Sequence, residues 1–133
     1  MNDKELMLLA AEARKQAYAP YSRFCVGAAL LGKSGKVYLG CNIENAAYTP
    51  TSCAERTAVF KAVSEGEREF SAIAVVGGKE NHLSPCAPCG VCRQVLAEFC
   101  DDDFRVLMGT PDAIQAATLA ELFPHAFGKH HIE

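Results

Sequence analysis

The sequence has no excess of basic residues and no run of them, no low-complexity tract and no internal repeat. Thirteen Lys and Arg against sixteen Asp and Glu leave a formal charge of -3. A polynucleotide partner needs clustered Lys and Arg against its phosphates, so this balance argues against nucleic acid. Long apolar runs are missing as well, and nothing approaches the roughly 20 residues that cross a bilayer. Asp3, Lys4 and Glu5 already stand at the N-terminus, which leaves no apolar signal segment and predicts a cytoplasmic protein. Charged residues make up only 22% and apolar ones 50%, the balance of an ordinary soluble globular chain. At 133 residues the chain predicts a single domain over residues 1–133, able to bury one core without disulfide staples.

What the chain does have is cysteine, seven of them. Without an export signal they imply a reducing compartment, where thiols serve metals or packing. Two stretches concentrate chemistry. Thr51-Ser52-Cys53-Ala54-Glu55-Arg56 sets a thiol, a carboxylate and a guanidinium side by side at a predicted helix start. Pro85-Cys86-Ala87-Pro88-Cys89-Gly90-Val91-Cys92-Arg93-Gln94 opens a later helix. One Cys from the first and a Cys-x-x-Cys pair from the second make three soft ligands, a set that zinc accepts with a fourth position open for water. Glu55 would then handle protons on that water, which is the logic of metal-assisted hydrolysis.

Around these stretches the pattern predicts alternating elements. Leu6, Leu9, Ala10, Ala13 and Ala17 repeat at helical spacing, with Asp3 as the cap. Phe24 to Leu31 reads as a buried strand, Lys33-Ser34-Gly35 as a turn, and Val37 to Cys41 as the antiparallel return of a hairpin. Asn42 to Tyr48 is polar and irregular, a loop. A second helix starts near Ser52, where Ser52 and Glu55 match a capping box, and buries Ala58, Val59, Ala62 and Val63 before Gly66. Ser71 to Val76 reads as a strand covered on both faces. A third helix spans Cys89 to Phe99, followed by strands at Phe104 to Met108 and Ala113 to Ala117. Thr118 and Glu121 form another capping box, opening a short helix before Pro124. A hairpin followed by alternating strands and helices predicts a mixed α/β sheet with helices on both faces; the strand order does not follow.

Each site residue also has a plain structural reading. Glu55 could serve only the Ser52 cap, Arg56 could be a solvated surface arginine, and any one cysteine could simply pack. Packing suits Cys25 and Cys41, within or at the end of apolar strands, and Cys100. A closed four-thiolate centre of Cys53, Cys86, Cys89 and Cys92 would leave no open position. The ligand pair has two registers by spacing, Cys86 with Cys89 or Cys89 with Cys92. Backbone donors favour the second: two residues after Cys86 stands Pro88, which has no N–H, whereas Val91 and Cys92 both offer one behind Cys89. Pro88 also suits the first helical position, and Gly90 would let backbone pass close to a metal. Three thiolates overcompensate the zinc charge, and Arg56 is the cation placed to offset them.

These stretches resemble the small cytidine deaminases of pyrimidine salvage. The likeness runs from Tyr18-Ala19-Pro20-Tyr21-Ser22-Arg23-Phe24-Cys25-Val26-Gly27-Ala28-Ala29-Leu30 through Asn42-Ile43-Glu44-Asn45-Ala46-Ala47-Tyr48. It continues in Cys53-Ala54-Glu55-Arg56 and closes with Pro88-Cys89-Gly90-Val91-Cys92-Arg93-Gln94. The link between such a Glu-and-Cys signature and zinc deaminases is a general one. The resemblance implies hydrolytic deamination of cytidine and 2'-deoxycytidine to uridine and 2'-deoxyuridine, with release of ammonia. It implies one zinc per chain on Cys53, Cys89 and Cys92, zinc-bound hydroxide attacking C4, Glu55 as proton shuttle, and Arg56 offsetting thiolate charge. Phe24 would pack on the base, and Asn42 and Glu44 would bind the ribose 3'-hydroxyl. Ala46, Tyr48, Ala54 and Phe127 complete the implied substrate-binding set. A three-layer α/β/α fold on a mixed five-stranded sheet is implied too. So is a homotetramer whose sites are shared, Tyr48 and Phe127 coming from neighbours. The extra Cys86-Ala87 before Pro88 departs from the family pattern.

Overall fold

In the computed structural model, which describes residues 1–132, four helices and five strands alternate along the chain. They are α1 (Asp3–Ala13), β1 (Gly27–Gly32), β2 (Val37–Cys41), α2 (Ala54–Ser64), β3 (Phe70–Val76), α3 (Gly90–Phe99), β4 (Arg105–Thr110), β5 (Ala113–Thr118) and α4 (Leu119–Leu122). The strands form one sheet in the order β2-β1-β3-β4-β5. Only the β3–β4 pair is parallel, and α3 lies in its crossover. The expected mixed five-stranded α/β sheet is therefore present.

Alternation within the strands explains why both faces are covered. Ala28 and Leu30, Ile73 and Val75, and Val106 and Met108 face one way, onto Ala54, Ala58, Val59 and Ala62 of α2 and Leu96 of α3. Ala29, then Ala72, Ala74 and Val76, and Leu107 face the other way, onto Leu6, Met7 and Ala10 of α1. Period-2 side chains on a doubly covered sheet are apolar throughout, which is why β3 reads as an unbroken run. Small residues let the layers close. A Cβ at Gly40 of β2 would meet the carbonyl oxygen of Ala54 at 2.4 Å and the amide of Ala58 at 2.6 Å. The first turn of α2 therefore rests directly on the β2 backbone. Among the described residues no helix is long and apolar enough to cross a membrane.

Several expectations change at element ends. The cap of α1 is Asn2, in a capping box with Glu5, and Asp3 instead makes a two-pronged ion pair with Arg105 at 2.7 and 2.9 Å. The helix α2 begins one residue later than a Ser52 cap requires. Its cap is Cys53, and the Ser52 hydroxyl donates to the Cys53 carbonyl, so no Ser52–Glu55 box forms. Pro88 is not the first residue of α3 either: Cys89 is the cap, Gly90 the first helical residue, and Pro88 precedes both. A Cβ at Gly90 would meet nothing within 4 Å, so crowding does not demand glycine there. Val63 is only half-buried on α2.

Strand β1 starts at Gly27 rather than Phe24. The backbone before it is claimed by other partners: the Asn42 side chain accepts from the Val26 amide at 2.9 Å and donates to the Phe24 carbonyl at 2.8 Å. The Cys25 amide donates to Gly78. The Thr118–Glu121 box and the short helix behind it are present as expected.

Candidate metal centre and active site

Cys53 and Cys89 occupy equivalent places, each the N-cap of a helix packed on the same face of the sheet. Helix starts carry unpaired amides that a sulfur can accept from. The Cys89 sulfur does so, accepting from the Cys92 amide at 3.4 Å. Cys92 lies one turn into α3 and is 1% exposed. The Cys53 and Cys89 sulfurs are 3.7 Å apart, those of Cys89 and Cys92 3.3 Å, and all three lie within 4.8 Å of one another.

Thiolates at about 2.3 Å around a tetrahedral ion stand roughly 3.8 Å apart, so the trio could hold zinc with little movement. Its electrostatics point the same way. The hydrogen bond from Cys92 draws the Cys53 thiol down to about 5 against burial, and the Arg56 guanidinium, 3.3 Å from the sulfur, adds to this. Cys92 is pushed up because it shares that bond with Cys53 and is buried. The Arg56 guanidinium is itself raised, chiefly by its hydrogen bond to Cys53. A bound metal would take all three as thiolates.

Glu55, two residues past Cys53, is 3% exposed. Burial pushes its carboxyl up to about 7, with the nearby Cys53 adding to the rise and its own backbone amide opposing it. No Ser52 capping box engages it. Ala54 between them is fully buried against β2.

The remaining predicted residues are distributed unevenly around this centre. Phe24 lies over Gly77, where a Cβ would stand 2.7 Å from two ring carbons and 3.2 Å from the Cβ of Cys86. Cys86 thus forms a wall beside Phe24 and stays outside the three-sulfur cluster. Its thiol is pushed up to about 11 by burial and by the charges of Glu55, Cys53 and Cys89. Asn42 is buried and both ends of its amide bind backbone, as described above. The Glu44 carboxylate accepts from the amides of Tyr21 and Ser22 at 3.0 and 3.1 Å and from the Ser22 hydroxyl, which holds it below the usual carboxylate range. Ala46 and Tyr48 are exposed, and the Tyr48 ring meets Tyr21 edge-on.

Phe127 is 56% exposed, stacked on His131, its carbonyl held at 2.9 Å by Gln94 of α3. The neighbouring Arg93 bonds the carbonyls of Pro88 at 2.8 Å and Leu122 at 2.6 Å, so it straps the start of α3 to the C-terminal segment. Sequence reading quoted Arg93 and Gln94 without giving either a role. A cavity of about 1090 Å³ lies beneath this C-terminal segment rather than at the sulfur cluster. The chemistry marks the cluster as the site, since among the described residues it is the one group of His, Cys, Asp or Glu side chains close enough to hold a metal.

Residues 1–108 match the family model described as the cytidine and deoxycytidylate deaminase zinc-binding region. The chain belongs to this family. The cytidine deaminase of Sporosarcina psychrophila is 52% identical to it over 133 residues, 99% of this chain and 96% of that protein. That of Halalkalibacterium halodurans is 54% identical over 128 residues, 96% and 95% of the two chains. Among solved structures, the cytidine deaminase of Burkholderia pseudomallei superposes with a TM-score of 0.87 at 48% identity, covering 96% of this chain and all of that one. The zinc-binding description of the deaminase family and the three-thiol cluster agree on zinc as the cofactor.

Proposed function

We propose that the protein is a zinc-dependent hydrolase that deaminates cytidine and 2'-deoxycytidine to uridine and 2'-deoxyuridine, releasing ammonia. The observation that carries this reading is one buried carboxyl, raised to about 7, on the helix turn that also supplies a thiol of the three-sulfur cluster. Cys53, Cys89 and Cys92 are the metal ligands in this reading. Bound there, zinc would supply the Lewis acidity that makes a water acidic enough to serve as nucleophile near neutral pH.

Replacing an amino group by oxygen at C4 takes both protons off the attacking water, one passing to the ring nitrogen N3 and one to the departing amino nitrogen, which leaves as ammonia. Glu55 serves both, because a carboxyl poised near neutrality can give and accept a proton with little cost. Arg56 offsets the charge of the thiolates, which would otherwise oppose acidification of the water. Phe24 packs on the base, with Ala54 at the base edge. Asn42 and Glu44 bind the ribose 3'-hydroxyl through the hydrogen-bonding capacity their backbone contacts leave over: the amide's second N–H and the carboxylate's remaining lone pairs.

The exposed Ala46, Tyr48 and Phe127 belong to sites completed between subunits of a homotetramer, Tyr48 and Phe127 reaching a neighbour. The extent of aromatic surface left uncovered supports this: Tyr21, Tyr48, Phe60 and Phe127 are each more than half exposed. Such an enzyme would act on free nucleosides in pyrimidine salvage in the cytoplasm. The whole described chain serves as a single catalytic domain.

The deciding experiment is the loss of ultraviolet absorbance when cytidine is added to the zinc-loaded protein, with ammonia release measured alongside. A closed structural zinc site would show neither. That alternative needs Cys86 as a fourth ligand, and Cys86 stays outside the cluster.

A further inference from the structure

The buried face of α1 runs through Leu6, Met7, Ala10 and Ala13, and the next position on that face is Arg14. Arginine there is 8% exposed, where an unpaired charge would be costly. Its backbone cannot retreat, since a Cβ at Gly27 of β1 would meet the Arg14 amide at 2.6 Å. The guanidinium has one set of partners, all carbonyls of one loop: Gly78 at 2.9 Å, Glu80, and His82 at 3.3 Å. Its Nε is buried without any partner.

The loop is closed at its neck, where Gly77 and Ser84 exchange backbone hydrogen bonds at 3.0 and 2.8 Å. Within it Gly78 takes φ 126°, open to glycine, while Glu80 is held at φ 43°, a conformation costly for a residue with a side chain. Alternate carbonyls point inward at one centre, and the Arg14 cation fills it. Without that charge, three carbonyl dipoles would converge on nothing. The same loop builds one side of the base pocket. Gly78 also accepts from the Cys25 amide, Lys79 bridges to Phe24, and Gly77 lies directly under the Phe24 ring. Beyond the neck the chain runs straight through Cys86 to Cys89.

We propose that Arg14 is a positioning residue for the base pocket, its guanidinium acting as the internal cation of the Gly77–Ser84 loop and thereby fixing the Phe24 ring. This rests on the reading that Phe24 packs on the pyrimidine. Arg14 touches neither substrate nor metal.

The test compares zinc-loaded wild type, Arg14→Met, Arg14→Lys, Phe24→Ala and the Arg14→Met/Phe24→Ala double variant, with cytidine as substrate. Arg14→Met keeps the aliphatic stem and should raise KM roughly three- to tenfold, the scale of a misplaced aromatic contact, with kcat near wild type. Zinc should remain, and amide exchange should quicken at residues 78–82. The double variant should show no more than the KM rise of Phe24→Ala alone. A merely structural role predicts the opposite split, a lower kcat in proportion to the folded fraction with KM unchanged, and that result overturns the proposal. Additive effects in the double variant overturn it too. Should Arg14→Met fail to fold, Arg14→Lys carries the test: all three carbonyls are reached by the one terminal nitrogen Nη2, and a lysine ammonium ends one bond short of it, so KM should rise by a smaller factor, and a wild-type KM overturns the proposal. A wild-type KM in Phe24→Ala removes the pocket reading and the proposal with it. A raised KM there beside a wild-type KM in Arg14→Met removes the proposal alone.

Discussion

The Arg56 guanidinium stands 3.3 Å from the Cys53 sulfur, one helical turn along the same helix. With the larger effect of the Cys92 hydrogen bond, this guanidinium draws a half-buried thiol down to about 5. In metal-stripped protein, Cys53 should therefore react with an alkylating reagent well below neutral pH, because the thiolate is the nucleophile. Arg56→Gln removes one of three stabilising contacts, those of Cys92 and Cys89 remaining, and the reactivity midpoint should move upward. Peptide mapping of the alkylated residue against pH measures it; an unmoved midpoint would mean that the neighbouring sulfurs alone set the Cys53 charge.

Glu55 is predicted to act on protons without binding metal. Glu55→Gln should retain zinc while kcat falls at least ~100-fold, the usual scale of general acid–base work. Joint loss of zinc and activity would place the residue in the metal shell. The substitution also has a stability signature. A carboxyl raised from 4.5 to about 7 on folding favours the folded state fully only below pH 4.5, and that contribution is lost as pH climbs through 7. Gln has no such loss, so the Tm difference between Glu55→Gln and wild type should move in the variant's favour from pH 4.5 to 7.

Much of this was readable from the chain, for reasons particular residues make plain. Strand β3 was legible because a doubly covered strand is apolar at nearly every position, and the gathering of Cys53, Cys89 and Cys92 because three thiols at two helix starts suit one metal. Phe24 to Val26 misread as strand because their hydrogen bonds go to a side chain, Asn42, and to a distant loop carbonyl, neither of which leaves a periodic trace. The α2 cap misread because Ser52-x-x-Glu55 and a Cys53 start fit the same letters; contact of Ala54 with Gly40 belongs to the later register. Arg14 was detectable in principle, as a charge at the next place on the buried face of α1, but its carbonyl partners lie more than sixty residues on. The Ser22 and Tyr21 contacts of Glu44 had no signal at all.

Phe127 and Glu55 should complement each other between chains. Phe127→Ala and Glu55→Gln should each be nearly inactive alone. Refolded together into mixed oligomers, they should regain part of the wild-type activity, because some sites then draw both intact groups from different subunits. The exposed Phe127 ring, with its backbone anchored by Gln94, is placed to be offered outward. Mixed oligomers proven by mass spectrometry yet still inactive would refute sharing.

The register of the zinc pair gives the sharpest contrast. Spacing alone allows Cys86 with Cys89, but the Cys86 thiol donates to the Ala87 carbonyl at 3.8 Å and burial pushes it up to about 11. The Cys86 sulfur lies outside the group of three that stand within 4.8 Å of one another, whereas the Cys92 sulfur belongs to it. Cys89, by contrast, accepts an amide hydrogen from Cys92, and the Cys92 sulfur is 3.3 Å away. Cys86→Ala should keep one zinc per chain and most of the activity. Cys92→Ala should lose both, since two thiols on separate helices leave the metal short of its third ligand. Zinc measured by atomic absorption after exhaustive dialysis distinguishes the variants. Zinc lost from Cys86→Ala and kept by Cys92→Ala would mean that the extra Cys86-Ala87 has moved the centre by one register.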